Sequence, residues 1–219
     1  TMYCEQGGLA RIAVVDDDAA VLRSVGRLLQ SKGYEACTYS SAASLLVEVE
    51  RLRPECIVAD LSMPGLDGLQ FQEALHSAGL DYPIVFITGR GDIRSSVQAM
   101  RRGAVDFLVK PFEEVELFDA VKRALERSRA SVEFRLRGEV MHQRVSSLTR
   151  RELDVFRQVL EGLMNKQNAA NLGIAEKTVK IHRARIMRKM SVRSVAQLAR
   201  LAERYGVTGQ APGSDARPS

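Results

Sequence analysis

Apolar residues follow two different patterns in the two halves of the chain. In the first half, short runs rich in β-branched or aromatic residues at 12–15, 36–39, 56–59, 84–87 and 107–109 predict five β-strands. These runs do not alternate apolar with polar, as expected of strands covered on both faces in a parallel sheet. Between them Val21, Val25, Leu28 and Leu29 recur at helical spacing, as do Ala42, Leu45, Leu46 and Val49, and residues 93–102 and 115–127 supply further helices. Alternating strands and helices joined by right-handed crossovers predict an α/β fold, a doubly wound five-stranded parallel sheet. Active groups in such sheets collect at the carboxyl ends of the strands.

The second half contains no proline between Pro111 and Pro212 and is rich in Leu, Ala, Arg, Glu and Met, so it is expected to be all-α. Leu153, Phe156, Val159, Leu160 and Leu163 form one apolar helix face, and Thr149 followed by Glu152 has the spacing of a capping box. A short helix over 166–172, a turn at Gly173 and a third helix over 176–190 suggest a helix-turn-helix; a plain α-hairpin with a solvated charged face is the alternative. On the third helix Val179, Ile186 and Met190 fall on one side and Lys180, Ile181, Ala184, Arg185 and Arg188 fall opposite. That outward face combines cations for phosphates and guanine edges with apolar groups for thymine methyls. A face that served only solubility has no need of Ile181.

The predicted domains are 9–127, a linker over 128–145, 146–207, and a Gly- and Pro-containing tail over 208–219 expected to be disordered. In the linker, Val132, Leu136 and Val140 form a stripe that predicts a connecting helix continuing the last helix of the first domain, a reading that Gly138 weakens. A last helix over 195–205 presents an apolar face that closes the bundle or pairs with a second copy.

Composition and charge sharpen this division. The chain has 219 residues, 45% hydrophobic and 27% charged, which excludes collagenous and globally disordered classes. No run approaches the roughly 20 apolar residues of a membrane helix, and no signal segment is visible, so a cytoplasmic location without membrane contact is expected. Cys4, Cys37 and Cys56 suit neither a zinc site nor a disulfide framework and are read as reduced thiols. Residues 1–128 carry 14 Lys and Arg against 19 Asp and Glu, whereas residues 129–219 carry 18 against 8. An acidic half joined to a basic half suggests a control or chemistry module attached to one that meets a polyanion, most often nucleic acid; solvated surface charge is the alternative.

The candidate chemistry lies at one sheet edge. Strand one is followed by Asp16, Asp17 and Asp18, strand three ends in Asp60, strand four in Thr88, and strand five in Lys110-Pro111. Taken singly, the first group reads as a helix N-cap and the segment 60–68 as a turn. Taken together, closely packed carboxylates repel one another unless a cation joins them, and hard oxygen donors suit Mg2+. Lys110 offers a point charge and Thr88 a hydroxyl donor to a phosphoryl oxygen. Asp60, alone on the central strand, is the candidate nucleophile for an acyl phosphate.

These residues carry a resemblance. VVDDD at 14–18, IVADLSMPGLDG at 57–68, FITGRGD at 86–92 and GAVDFLVKPF at 103–112 resemble the receiver domain of two-component response regulators. The resemblance implies Asp60 as phosphoacceptor, Asp16 and Asp17 as the acidic pair, and Mg2+ bound by Asp17, Asp60 and the backbone carbonyl of Ser62, with Asp16 in the same metal cluster. It further implies that Lys110 and Thr88 contact the phosphoryl group, that Phe107 is an aromatic switch, and that Lys110-Pro111 is a cis peptide. Arg90 stands where near relatives often carry His.

The run at 162–194 resembles the LuxR-type DNA-binding domain of NarL/FixJ response regulators, with a match extending over 146–207. By that resemblance Lys180 and Ile181 contact bases, while Lys166, Thr178 and Arg188 contact the DNA backbone. At Ala184 relatives often have a longer polar residue. The expectation is a phosphorylation-controlled DNA-binding transcription regulator, not an enzyme. Its expected partners are a sensor histidine kinase, double-stranded DNA, RNA polymerase and, on phosphorylation, a second copy. Two rivals remain: a Mg2+-dependent aspartyl-phosphate enzyme, against which the lack of a second catalytic acid or base argues, and a polymerase-contacting adaptor that does not read DNA sequence.

Overall fold

A computed structural model describes residues 9–89 and 93–207. The expectations for Cys4, Arg90 and the tail over 208–219 concern residues outside this set. The element order is β1 (Arg11–Val15), α1 (Ala19–Ser31), β2 (Glu35–Tyr39), α2 (Ala42–Leu52), β3 (Cys56–Asp60), α3 (Gly68–Ser77), β4 (Ile84–Thr88), α4 (Ile93–Arg101), β5 (Asp106–Val109) and α5 (Glu114–Ser146), then α6 (Arg150–Leu160), α7 (Asn165–Leu172), α8 (Glu176–Lys189) and α9 (Val195–Arg204). The chain divides into two compact units, 1–132 and 133–219.

In the first unit all strand pairs are parallel and the order is β2-β1-β3-β4-β5. Successive strand residues point to opposite faces, and both faces are covered. Ala13, Val15, Ile57, Ala59, Ile84 and Phe86 pack against Leu45 and Val49 of α2, Phe71 and Leu75 of α3, and Ala99 of α4. Ile12, Val14, Val58, Val85 and Ile87 pack against Val25 and Leu29 of α1 and Leu117, Val121 and Ala124 of α5. The uninterrupted apolar runs of the sequence are thus what a double-covered sheet demands.

The chain leaves β1 for β2 on one side and reaches β3 on the other, so β1 and β3 flank the topological switch point, where open α/β sheets form their crevice. Register brings the chemistry there. Val15 pairs with Ala59, which sets Asp16 level with Asp60 on neighbouring strands. Thr88 pairs with Val109, which places Lys110 one residue beyond. The Lys110-Pro111 bond is cis.

The sequence pattern missed α3. Its buried face is Gly68, Phe71, Gln72 and Leu75, so a polar side chain and a glycine occupy half of the stripe that helical periodicity depends on. Gln72 is buried because its amide Nε2 reaches the carbonyls of Ala99 (3.4 Å) and Arg102 (3.3 Å) at the end of α4. Asp67 caps α3 in a reciprocal capping box with Gln70. At Gly68 the backbone passes so close to β3 that a Cβ would lie 2.9 Å from the Asp60 carbonyl oxygen, the Leu61 Cα and the Phe86 ring.

In the second unit Val155, Phe156, Val159, Val179, Ile186, Met190, Leu198 and Ala202 form one core among α6, α8 and α9. Thr149 and Glu152 form the capping box at the start of α6, and Gly173 closes α7 in the left-handed conformation, φ 64°. Residues of α5 from 133 onward belong to this unit. Met141 is buried in its core, and the Phe134 ring packs on Tyr205 with centroids 5.1 Å apart. The connecting helix expected over this segment is the continuation of α5, unbroken at Gly138. The helix runs through it beside α9, and a Cβ there would meet the Tyr205 ring at 3.4 Å.

Gly68→Ala forces either the α3 start or the β3 backbone to move, because no flexible side chain tip can absorb the contact on the backbone atoms. It is expected to cost about 1–3 kcal/mol in denaturant unfolding. An unchanged midpoint would show that the crossing is looser than 2.9 Å implies.

Candidate phosphoacceptor site and nucleic-acid interface

The acidic residues after β1 divide their work. Asp18 is the N-cap of α1, its carboxylate accepting from the Ala20 N–H at 2.7 Å. This leaves Asp16 and Asp17 for other tasks. Asp16 is buried at 1% exposure, and its Oδ1 accepts from the Asp18 N–H at 2.8 Å. Lys110 Nζ donates to Asp16 Oδ2 at 2.8 Å and to Asp60 Oδ1 at 3.1 Å. One oxygen from each of Asp16, Asp17 and Asp60 falls within 4.8 Å of the others, with Asp17 exposed.

Three carboxylates against one ammonium leave an excess of negative charge in a largely buried corner. Burial pushes the Asp60 carboxyl above its ordinary range, and the Asp16 charge adds to this. The hydrogen bond and charge of Lys110 and a backbone hydrogen bond from Ser62 offset only part of the rise. For Lys110, burial lowers the pKa, but hydrogen bonds and charges from Asp16 and Asp60 outweigh it and hold the ammonium above its usual value. Lys110 is therefore held more firmly in its cationic form, whereas ionising Asp60 carries a cost. Hard oxygen donors with residual negative charge and one exposed member fit a divalent cation such as Mg2+, which takes few protein ligands and retains waters.

Of the other receiver residues, Ser62 stands two residues past β3 and is exposed. Thr88 is buried at the end of β4, its hydroxyl donating to the Gly89 carbonyl at 3.3 Å and its own carbonyl accepting from the Lys110 N–H at 2.8 Å. Phe107 lies on the edge strand β5 and is 39% exposed, so it is not brought into the carboxylate cluster.

The second unit displays the helix-turn-helix as α7 and α8 around Gly173. Val179, Ile186 and Met190 are buried, while Lys180, Ala184, Arg185 and Arg188 are exposed, and Ile181 is 46% exposed. Lys166 is exposed on α7, and Thr178 is half-buried. Two features were not predicted. Lys189 belongs by sequence to the cationic run of α8, yet its ammonium is spent inside the domain, on Glu152 Oε2 at 2.7 Å and the Ser147 carbonyl at 2.8 Å. Lys177 is exposed on the outward side between Ala184 and Arg188 in helical projection, and the same 100° arithmetic that selected its neighbours would have found it.

A parallel sheet with a lysine-bridged aspartate cluster at its switch point, followed by a basic helix-turn-helix, defines a phosphoacceptor domain joined to a DNA-binding domain. The comparisons agree. Residues 12–122 match the response regulator receiver domain family and residues 146–202 match the bacterial regulatory proteins, luxR family. Nodulation protein W of Bradyrhizobium diazoefficiens is 43% identical over 94% of this chain and 91% of its own length. Response regulator protein TodT of Pseudomonas putida is 42% identical over 88% and 85% respectively. A low-resolution structure of the response regulator StyR superposes with a TM-score of 0.73 at 43% identity, covering 90% of this chain and all of that one.

The chain belongs to the NarL/FixJ-type two-component response regulators. It is a DNA-binding transcription regulator under phosphorylation control, in a family that is not one of enzymes. The receiver implies a sensor kinase as partner, and the luxR-type domain implies DNA binding. Among the described residues no helix is long and apolar enough to cross a membrane.

Two consequences follow for stability. Because Asp60 titrates above its unfolded value, the folded state holds a proton that the unfolded chain has already released, so its contribution falls as pH rises through that window. In chelator, Asp60→Asn is expected to raise the thermal midpoint near neutral pH; a lowered midpoint would mean that the Lys110 contact outweighs the cost of burial. Glu152 behaves oppositely. Burial pushes it up, but Lys189 and the Thr149 amide prevail and hold it below the usual carboxylate range. Its stabilisation is complete above the unfolded carboxylate pKa and is lost as pH falls through the depressed one. Glu152→Gln should therefore flatten the acid limb of the unfolding curve, and an unaltered limb would contradict the assignment.

Proposed function

We propose that Asp60 accepts a phosphoryl group from a phosphohistidine of the sensor kinase. An Asp60 oxygen attacks phosphorus, the phosphorus–nitrogen bond breaks, and the imidazole leaves as an acyl phosphate forms. The observation that carries this reading is the Lys110 ammonium 3.1 Å from Asp60 and 2.8 Å from Asp16, a fixed positive charge where the phosphoryl oxygens would arrive. Mg2+, held by Asp16, Asp17, Asp60 and the Ser62 carbonyl, would neutralise charge on the transferred group. Thr88, drawn to the phosphoryl group by its hydroxyl, and Phe107, moving inward behind it, make up the switch. Exposed Val97, Met100, Phe107, Val109 and Val115 on α4, β5 and α5 support a face through which two phosphorylated receivers pair.

Residues 9–127 form the receiver, 128–145 the helical connection and 146–207 the DNA-binding domain. Lys180, Ile181, Ala184 and Arg185 face base edges of duplex DNA, while Lys166, Thr178 and Arg188 meet phosphates. RNA polymerase is the enzyme whose access or recruitment the bound dimer alters.

With acetyl phosphate and Mg2+ the full chain should gain one hydroxylamine-labile phosphoryl group by intact mass, and Asp60→Asn none. A label retained in that variant refutes the acceptor. Duplex affinity should fall with salt at a log–log slope of about −0.9 per neutralised phosphate, and Arg188→Ala should reduce its magnitude by about 0.9. A salt-independent complex would sink the basic-face reading.

A further inference from the structure

Helix α8 carries one acidic residue among its cations, Glu176 in the first turn, at the border of the outward face next to Lys180. Both Glu176 and Lys180 are exposed, and Glu176 Oε1 lies 3.3 Å from Lys180 Nζ, one helical turn further on. The N-cap of α8 is Ala175, which offers no side-chain hydrogen bond, so Glu176 also supplies the negative charge that a helix start favours. That role would be met by an acid facing any direction. The structure instead pairs the carboxylate with a cation on the face proposed for DNA, at the helix end that reaches base edges in helix-turn-helix proteins.

We infer that Glu176 is a specificity-determining residue, an anion that penalises binding to DNA of the wrong sequence by holding Lys180 back from the phosphates. The inference rests on the DNA-binding reading above. On an arbitrary duplex Lys180 gains most by turning to a phosphate, which abandons Glu176 unpaired beside a polyanion. On a correct site Lys180 can donate to a guanine edge in the groove while still donating to Glu176, because an ammonium has three donors. The carboxylate is then compensated in the specific complex and uncompensated in the non-specific one. Selectivity of this kind comes from building a cost into the wrong complex.

The test uses the full chain, phosphorylated as above, and two fluorescent probes: a duplex enriched by the wild-type protein from a random library, and the unselected library itself. Glu176→Gln keeps size and hydrogen bonding and removes charge. At about 50 mM salt it should bind the unselected duplex about 1.5- to twofold more tightly, with a salt slope steeper by about 0.9, because Lys180 becomes free to neutralise one more phosphate. The enriched-to-unselected affinity ratio should fall accordingly. In a Lys180→Ala background the same replacement should lose most of this effect. Wild-type binding with a ratio and slope unchanged by Glu176→Gln would overturn the inference alone, leaving Glu176 as a helix-start residue. Failure of the wild-type chain to enrich any duplex would overturn the DNA-binding reading beneath it.

Discussion

The ammonium of Lys110 between Asp16 and Asp60 is the interaction on which the first unit's function depends. Two buried carboxylates on adjacent strands at one level repel each other, and burial adds to the cost of ionising Asp60. A single cation placed between them lowers that cost without cancelling it, since an exposed third carboxylate, Asp17, lies within reach. The residual negative charge is what fits the corner to a divalent cation. A site compensated in full would be more stable and chemically inert.

This arrangement is a product of strand register more than of local sequence. Asp16, Asp60 and Lys110 are separated by dozens of residues, and they meet because β1 pairs with β3, β3 with β4 and β4 with β5 in parallel, each with its carboxyl end at the same edge. The β3 to α3 connection keeps Asp60 in place through Asp67 capping and through the close passage of Gly68 over β3. Helix initiation, sheet register and the chemical site are therefore one structural problem solved together.

The second unit allocates charge by similar rules. Its cations look interchangeable in composition, yet they serve different ends. Lys189 is turned inward to Glu152 and Ser147, tying the end of α8 to the start of α6, and Arg144 of α5 holds the Met190 carbonyl at 3.0 Å. Lys180 is paired within its own helix, and Arg185 and Arg188 point outward. A net charge of +10 over residues 129–219 thus overstates what is presented to a polyanion.

The sequence by itself determined the five strands, the flanking helices α1, α2 and α4, the α6 capping box and the two faces of α8, because those features are written in short-range periodicity and local hydrogen-bonding chemistry. It also named the aspartates and the lysine, since their types and strand-end positions restrict what they can do. Helix α3 stayed hidden because Gln72 is buried by carbonyls of α4, a partner that no local window contains. The continuity of α5 through Gly138 and the inward turn of Lys189 were likewise settled by distant neighbours, Tyr205 and Glu152. Tertiary structure decided those points because a side chain's environment, unlike its periodicity, is set by whatever the fold brings against it.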